Sequence, residues 1–151
     1  MSKQIKGINK LINNIKKFGK EAEKDIDLTF NLVVKEMVAD AKTTVPKDTG
    51  KLAQSIQSQK IKDNAYLMYV GGVGTKYAPY IEFGTGNKVS LSYLKDIGFP
   101  DSYAAKFKGA GVKQVNISPR PYFFPAIIKG QKRLNDDLKD LLKHLTKKYN
   151  G

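Results

Sequence analysis

The sequence predicts an α+β domain in which two long helices cover a small antiparallel sheet. Apolar residues recur at three- and four-residue steps near both ends of the 151-residue chain, over 4–44 and 122–148. Between them, residues 55–62 alternate as a strand does, and residues 65–70 are rich in aromatic and aliphatic residues; the turn signal Asp63-Asn64 makes the two a β-hairpin. Two amphipathic helices need a common apolar surface to cover, and the hairpin provides one. The length suits a single domain over residues 1–151.

The N-terminal pattern includes Ile5, Ile12, Val33 and Ala41 and ends before Pro46, because a proline pushes the preceding residue out of the α region. Gly19 falls inside this pattern and weakens the helix there by about 1 kcal/mol relative to alanine. The stretch before Gly19 is therefore expected to form a separate or mobile segment.

Two short elements surround the predicted hairpin. The turn Asp48-Thr49-Gly50 leads into a short helix, with Asp48 or Thr49 placed to accept a backbone N–H of its first turn. After the hairpin, residues 77–86 suit a single helical turn closed by glycine.

Residues 87–118 show no hydrophobic period, and Gly, Ser, Lys and Asn are frequent among them. A loop of about 30 residues is usually functional or disordered. Ordering it would cost about 1–2 kcal/mol per residue in backbone entropy, which few local contacts offset. The segment is therefore expected to be a mobile loop or insertion that becomes ordered against adjacent subunits or an acidic partner, with Phe99, Tyr103 and Phe107 as anchors.

The charge is strongly positive and unevenly placed. Against 14 acidic residues the chain has 27 Lys and Arg, a formal net charge of +13. Residues 1–24, 87–120 and 129–151 carry net charges of +5, +4 and +4, whereas 25–86 is neutral. Such a field attracts nucleic acid or acidic protein surfaces, and a solvated lysine-rich surface explains it equally well. Because nearly all the cations are lysines and base readout favours arginine, sequence-specific DNA binding is disfavoured.

No catalytic, cofactor-binding or metal site is predicted. The chain has no Cys and a single His, which excludes disulfides, thiolate metal sites and cysteine nucleophiles. His144 is interpreted as a surface or helix-end residue. Glu82 has no partner carboxylate nearby in sequence, so capping of a backbone or pairing with a Lys or Arg is favoured over acid–base chemistry. Gly71 to Lys76 lacks the P-loop spacing.

The sequence contains no apolar run long enough to span a membrane and no secretory signal pattern at its N-terminus. Both observations predict a cytoplasmic protein. Separately, the lack of a catalytic grouping disfavours an enzyme.

Three segments in series carry a family resemblance. They are 45–56 (Val-Pro-Lys-Asp-Thr-Gly-Lys-Leu-Ala-Gln-Ser-Ile), 77–86 (Tyr-Ala-Pro-Tyr-Ile-Glu-Phe-Gly-Thr-Gly) and 121–126 (Pro-Tyr-Phe-Phe-Pro-Ala). In order and approximate spacing they resemble the tailed-bacteriophage head–tail joining family, also described as minor tail components or tail-completion proteins. The chain departs from that family at 87–118, which is longer than the usual link between the second and third motifs.

The resemblance implies a non-enzymatic virion protein that forms a ring of six or twelve copies at the neck or the top of the tail. Implied partners are other copies of the chain and the adjacent neck, connector and tail-tube proteins, without a cofactor, a small-molecule substrate or a membrane. The implied location is the head–tail junction of the virion, and the host cytoplasm during assembly. Non-specific contact with passing DNA is left open. The alternative function is a basic nucleic-acid-binding protein that uses its lysine-rich ends.

The resemblance and the aromatic pattern also predict which residues contact partners or shape turns. The expected contact residues are Tyr77, Pro79, Tyr80, Glu82, Phe83, Phe99, Tyr103, Phe107, Tyr122 and Phe124. The expected turn and cap residues are Asp48, Thr49, Gly50, Gly84 and Gly86. For the motif aromatics, packing of the short helix against the sheet is an equally good interpretation.

Overall fold

The computed structural model describes residues 8–48, 50–108 and 116–150. The elements in chain order are α1 (Ile8–Thr44), α2 (Lys51–Ser55), β1 (Ile56–Lys62), β2 (Ala65–Val70), α3 (Ala78–Phe83), α4 (Leu91–Asp96), α5 (Asp101–Lys108) and α6 (Phe123–Tyr149), with a 3₁₀ turn at Gly86–Lys88. Strands β1 and β2 form a two-stranded antiparallel sheet. The predicted α+β class, the hairpin and the two long terminal helices are confirmed.

The two long helices pack against each other in antiparallel orientation. Lys129 near the start of α6 pairs with Asp40 near the end of α1 at 2.9 Å. At the opposite ends of the helices, Lys148 pairs with Glu21 at 2.6 Å. The apolar stripes read from the sequence therefore face one another, and ion pairs flank the contact.

The hairpin packs against α1 and shares a core with both long helices. Asp27 of α1 accepts hydrogen bonds from Lys60 Nζ at 2.6 Å and from the backbone N–H of Asn64 at 2.8 Å. Asn64 has a φ of 59°, as a tight turn at Asp63-Asn64 requires. The shared core contains Ala41, Val45, Leu52, Ile56, Ala78, Tyr122 and Ala126.

One sequence-based expectation about α1 is wrong. The helix continues through Gly19 without interruption, so the stretch before Gly19 is not a separate segment. Phe18 contacts Tyr149 of α6 with ring centroids 5.7 Å apart. Packing against α6 therefore offsets the helix-weakening effect of the glycine. The expected mobility of this stretch stays a prediction, and residues 4–7 lie outside the described part of the chain.

A second correction concerns residues 87–118, which were expected to lack both a period and contacts with the core. The structure places α4 and α5 in this segment, and Val89, Leu94, Ala104 and Phe107 form a second core with Phe83. Helices of six and eight residues are too short to show a repeating pattern, which explains why the sequence missed them. Residues 109–115 lie outside the described part, and the expected mobility of the segment stays a prediction that hydrogen exchange measures.

Candidate functional site

A buried carboxylate on α3 caps the first turn of α6. Glu82 is only 2% exposed. Its Oε2 accepts the backbone N–H groups of Tyr122 and Phe123 at 2.7 and 2.9 Å, and its Oε1 accepts the N–H of Phe124 at 3.1 Å. The first N–H groups of a helix have no partner within the helix, and the helix dipole favours a negative charge beside them. Glu82 therefore has the backbone-capping role that the sequence favoured.

Tyr93 of α4 completes the shell around this carboxylate. Its hydroxyl donates a hydrogen bond to Glu82 Oε1 at 2.6 Å. Burial, and then the hydrogen bond to Glu82, raise the pKa of the Tyr93 phenol well above its ordinary value. Burial and the nearby charge of Glu82 likewise raise the pKa of Tyr122. The carboxylate thus joins α3, α4 and the start of α6, which are distant in sequence.

The chain leaves α3 through a glycine that has no room for a side chain. Gly84 has a φ of 76°, and a Cβ there would lie 2.7 Å from the carbonyl oxygen of Ile117 and 2.9 Å from Pro119 Cδ. The adjacent Thr85 donates its N–H to the Ile117 oxygen at 2.9 Å. The glycine of the second motif therefore lets residues 116–120 lie directly against the end of α3.

Aromatic rings surround Phe83, the residue after the capping glutamate. Its ring centroid lies 5.1 Å from that of Phe107 and 5.8 Å from that of Phe124. Phe99 and Tyr103 stack on each other with centroids 4.5 Å apart and also contact Phe83. Aromatic pairs at these distances stabilise a core beyond the area that they bury. The second core thus anchors α4 and α5 to the motif helix α3.

A groove of about 460 Å³ lies beside this arrangement. Its walls come from the glycine turn after β2, from α3, from the start of α5 with the residues before it, and from the aromatic start of α6. They include Gly71, Pro79, Phe99, Tyr103 and Phe123. Lys76 also lines the groove. The groove is mainly aromatic and glycine-lined, a character that suits a protein contact as well as a small ligand.

The structure separates the predicted contact residues into exposed and buried groups. Tyr77 and Tyr80 are 40% and 41% exposed, whereas Pro79, Phe99, Tyr103 and Phe124 are half-buried. The other four residues, Glu82, Phe83, Phe107 and Tyr122, are buried within the subunit. The cap and the two cores account for the burial of these four side chains, and their role as partner contacts stays a prediction.

The predicted turn and cap residues lie at the start of α2 and after α3. Gly50 precedes the first residue of α2 with a φ of 72°, whereas Thr49 lies outside the described residues and Asp48 is exposed. The capping role of Asp48 or Thr49 stays a prediction. Gly86 also has a positive φ, of 60°.

The contact between Tyr93 and Glu82 was not predicted from the sequence. The segment that contains Tyr93 was expected to be a loop, and no sequence period links it to a carboxylate eleven residues away.

Neither a membrane helix nor a metal site emerges from the described ranges. Within residues 8–48, 50–108 and 116–150, no helix is long and apolar enough to cross a bilayer. The same ranges contain no group of three His, Cys, Asp or Glu residues that could hold a metal ion. His144 is exposed on α6, as expected for a surface residue.

Comparison with known protein families identifies a match over the N-terminal half of the chain. A family model described as "HK97-gp10_like: Bacteriophage HK97-gp10, putative tail-component" matches residues 9–84. This range is half of the chain and contains α1 except for its first residue, the hairpin, the first motif and most of the second. No curated protein and no solved structure matches the chain.

Proposed function

The chain belongs to the HK97-gp10-like family of bacteriophage tail components, and from this membership we propose that it is a ring subunit joining capsid and tail. The ring consists of six or twelve copies at the neck or at the tail terminus, with neck, connector and tail-tube proteins as neighbours. It lies at the head–tail junction of the virion and assembles in the host cytoplasm. Its role is structural rather than enzymatic.

The observation that carries this proposal is that residues of the second motif differ in exposure, some being buried and others facing solvent. Glu82 and Phe83 are buried and fasten α3 to α6 and to the second core. Tyr77 and Tyr80, from the same motif, remain exposed on the outside. A tyrosine held on a rigid element has few rotamers to immobilise and offers a large apolar area, which favours its use in protein interfaces.

The same region offers a second exposed apolar group. Val73 projects fully into solvent from the turn between β2 and α3. Gly71, Gly72 and Thr75 of that turn line the groove described above, together with Pro79. We place the contact between neighbouring subunits on Val73, Tyr77, Pro79 and Tyr80. A contact of this surface with a different surface of the next copy closes a ring by rotation.

Electron microscopy of the assembled phage tests the location. Density for this chain at the joint between capsid and tail is expected, and mass spectrometry should detect it in purified particles. Its absence from mature particles would contradict the proposal.

The contact surface is tested with the double substitution Tyr77→Ala and Tyr80→Ala in the phage. The two side chains are 40% and 41% exposed, and Tyr80 also contacts the ring of Phe107, so circular dichroism of the purified variant first checks that the subunit folds. Unjoined capsids and tails should then accumulate. Leu28→Ala is the matched control, since Leu28 is 48% exposed on α1 and lies outside the contact surface. Equal numbers of joined particles for the double variant and the control would rule out this surface.

A further inference from the structure

The antiparallel packing of α1 and α6 brings two cationic segments from opposite ends of the chain to one place. Residues 10–24 of α1 contain five lysines and two glutamates, and residues 139–150 of α6 contain four lysines and one aspartate. The contacts Phe18–Tyr149 and Lys148–Glu21 hold these two segments side by side. We call this end of the helix pair, residues 10–24 and 139–150, the helix-pair tip; its net charge is +6.

The helix-pair tip also exposes aliphatic side chains among its lysines. Ile12 and Ile15 are 43% and 61% exposed. A cleft of about 230 Å³ opens beside Ile15 between the two helices, lined by Asn14, Ile15, Phe18, Thr146, Tyr149 and Asn150. Lys16, Lys17 and Lys147 are exposed and adjoin residues that line the cleft. The tip is therefore an apolar cleft with a cationic rim.

We propose that the helix-pair tip binds an acidic protein segment that places an apolar side chain in the cleft beside Ile15. The lysines attract the acidic residues and orient the segment. Burial of the apolar side chain against Ile15, Phe18 and Tyr149 then supplies the short-range part of the affinity. This inference concerns the single subunit and stands independently of the ring.

The chemistry of the tip favours such a segment over duplex DNA and over a second copy of the chain. Duplex DNA would use the lysines but leave the aliphatic groups and the cleft uncovered, and the tip contains no arginine for reading guanine. A second copy of the chain is disfavoured as the occupant of the tip, because its residues 25–86 are neutral overall and its other segments are cationic, so that it offers no acidic segment to the lysines. The partner is thus a different and acidic protein.

The test measures binding of the full chain to a fluorescent peptide of alternating Asp and Glu with one central Leu. A second peptide has Ser in place of that Leu, and a fluorescent DNA duplex is the third probe. The Leu peptide should bind about tenfold more tightly than the Ser peptide, because only the former buries an apolar side chain. It should also bind more tightly than the duplex at the same salt concentration.

Two variants locate the binding. The triple variant Lys16→Glu, Lys17→Glu and Lys147→Glu should weaken binding of the Leu peptide by about tenfold or more. Ile15→Ser should remove the difference between the Leu and Ser peptides while leaving the circular dichroism spectrum unchanged. The matched control is Lys47→Glu, Lys88→Glu and Lys95→Glu, which changes the net charge equally at exposed positions outside the tip.

Three results would overturn the inference. They are equal affinities for the Leu and Ser peptides, an equal loss of affinity in the tip and control triple variants, or tighter binding of the duplex than of the Leu peptide. The last result would identify the tip as a nucleic-acid surface. None of these results bears on whether the chain is found at the head–tail junction, so the two proposals fail separately.

Discussion

Met37 of α1 occupies the space that a side chain at position 130 of α6 would need. A Cβ built on Gly130 would lie 2.9 Å from Met37 Sδ and closer still to its Cγ and Cε. Gly130 is buried in the first part of α6, next to Lys129, which pairs with Asp40 of α1. The absence of a side chain at this position therefore leaves room for Met37 to pack directly on α6.

Gly130→Ala should consequently destabilise the protein, although alanine is the better helix former. Overpacking typically costs about 1–3 kcal/mol, which outweighs the gain of about 1 kcal/mol in helix propensity. Gly19→Ala is the matched control, because a Cβ there meets nothing within 4 Å, and it should stabilise α1. Urea unfolding of both variants measures the two effects. Equal changes of the same sign would show that the close approach at Gly130 is unimportant.

Glu82→Gln should destabilise the protein by about 3 kcal/mol or more, because a buried donor that loses its acceptor costs about 1–3 kcal/mol and hydrogen bonds to charged groups are stronger. Both carboxylate oxygens of Glu82 accept hydrogen bonds. The amide nitrogen of glutamine would instead face at least one of these donors. The control is Asp96→Asn at an exposed position, with an expected change within about 0.5 kcal/mol. A similarly small change for Glu82→Gln in urea unfolding would refute the capping role.

Tyr93→Phe should reduce stability by about 1.5–3 kcal/mol, the usual range for a hydrogen bond to a charged group. It removes the hydroxyl that donates to Glu82 at 2.6 Å. Tyr69→Phe is its control, since that hydroxyl donates to Gln57 at 3.1 Å in an exposed position and its loss should change stability little. Thermal unfolding compares the two variants. An equal loss of stability in both variants would mean that the hydrogen bond from Tyr93 to Glu82 contributes no more than an exposed one.

Stability should fall as the pH falls through the acidic range. Hydrogen bonds from Lys60 and from the Asn64 amide lower the pKa of Asp27 below its ordinary value of 3.8. Since the unfolded chain therefore takes up this proton before the folded chain does, acidification favours unfolding. The contribution of Asp27 is complete above the ordinary pKa and is lost as the pH falls through the lowered one. Hydrogen bonds from Lys148 and Tyr149 lower the pKa of Glu21 in the same way.

Urea midpoints measured from neutral pH down to pH about 3 test this dependence on Asp27 and Glu21. Asp27→Asn should make the decline shallower, because its side chain no longer takes up a proton. Asp96→Asn should leave the profile as in the parent protein. An unchanged profile in Asp27→Asn would show that Asp27 does not contribute to the acid sensitivity.

The long elements and the hairpin followed from the sequence because their signals are local and repeat. The apolar steps of α1 and α6 continue over many turns. Asp63-Asn64 marks the hairpin turn between an alternating run and a run rich in aromatic and aliphatic residues. The motif resemblance led to the same family that the comparison identified over residues 9–84. Short helices such as α4 and α5 lack that repetition, so their contacts with Phe83 could not be predicted from the sequence.

What the sequence by itself determined is therefore the α+β class, the ends of the main elements and the family. Only the tertiary structure decided which motif residues face inward, because burial depends on partners distant in the chain. Glu82 is buried since the amides of Tyr122 to Phe124, forty residues on, need an acceptor. Tyr77 and Tyr80 of the same motif stay 40% and 41% exposed, although the ring of Tyr80 also contacts that of Phe107. The helix-pair tip likewise depends on the tertiary structure, because antiparallel packing of α1 and α6 brings together two lysine-rich segments that lie near opposite ends of the sequence.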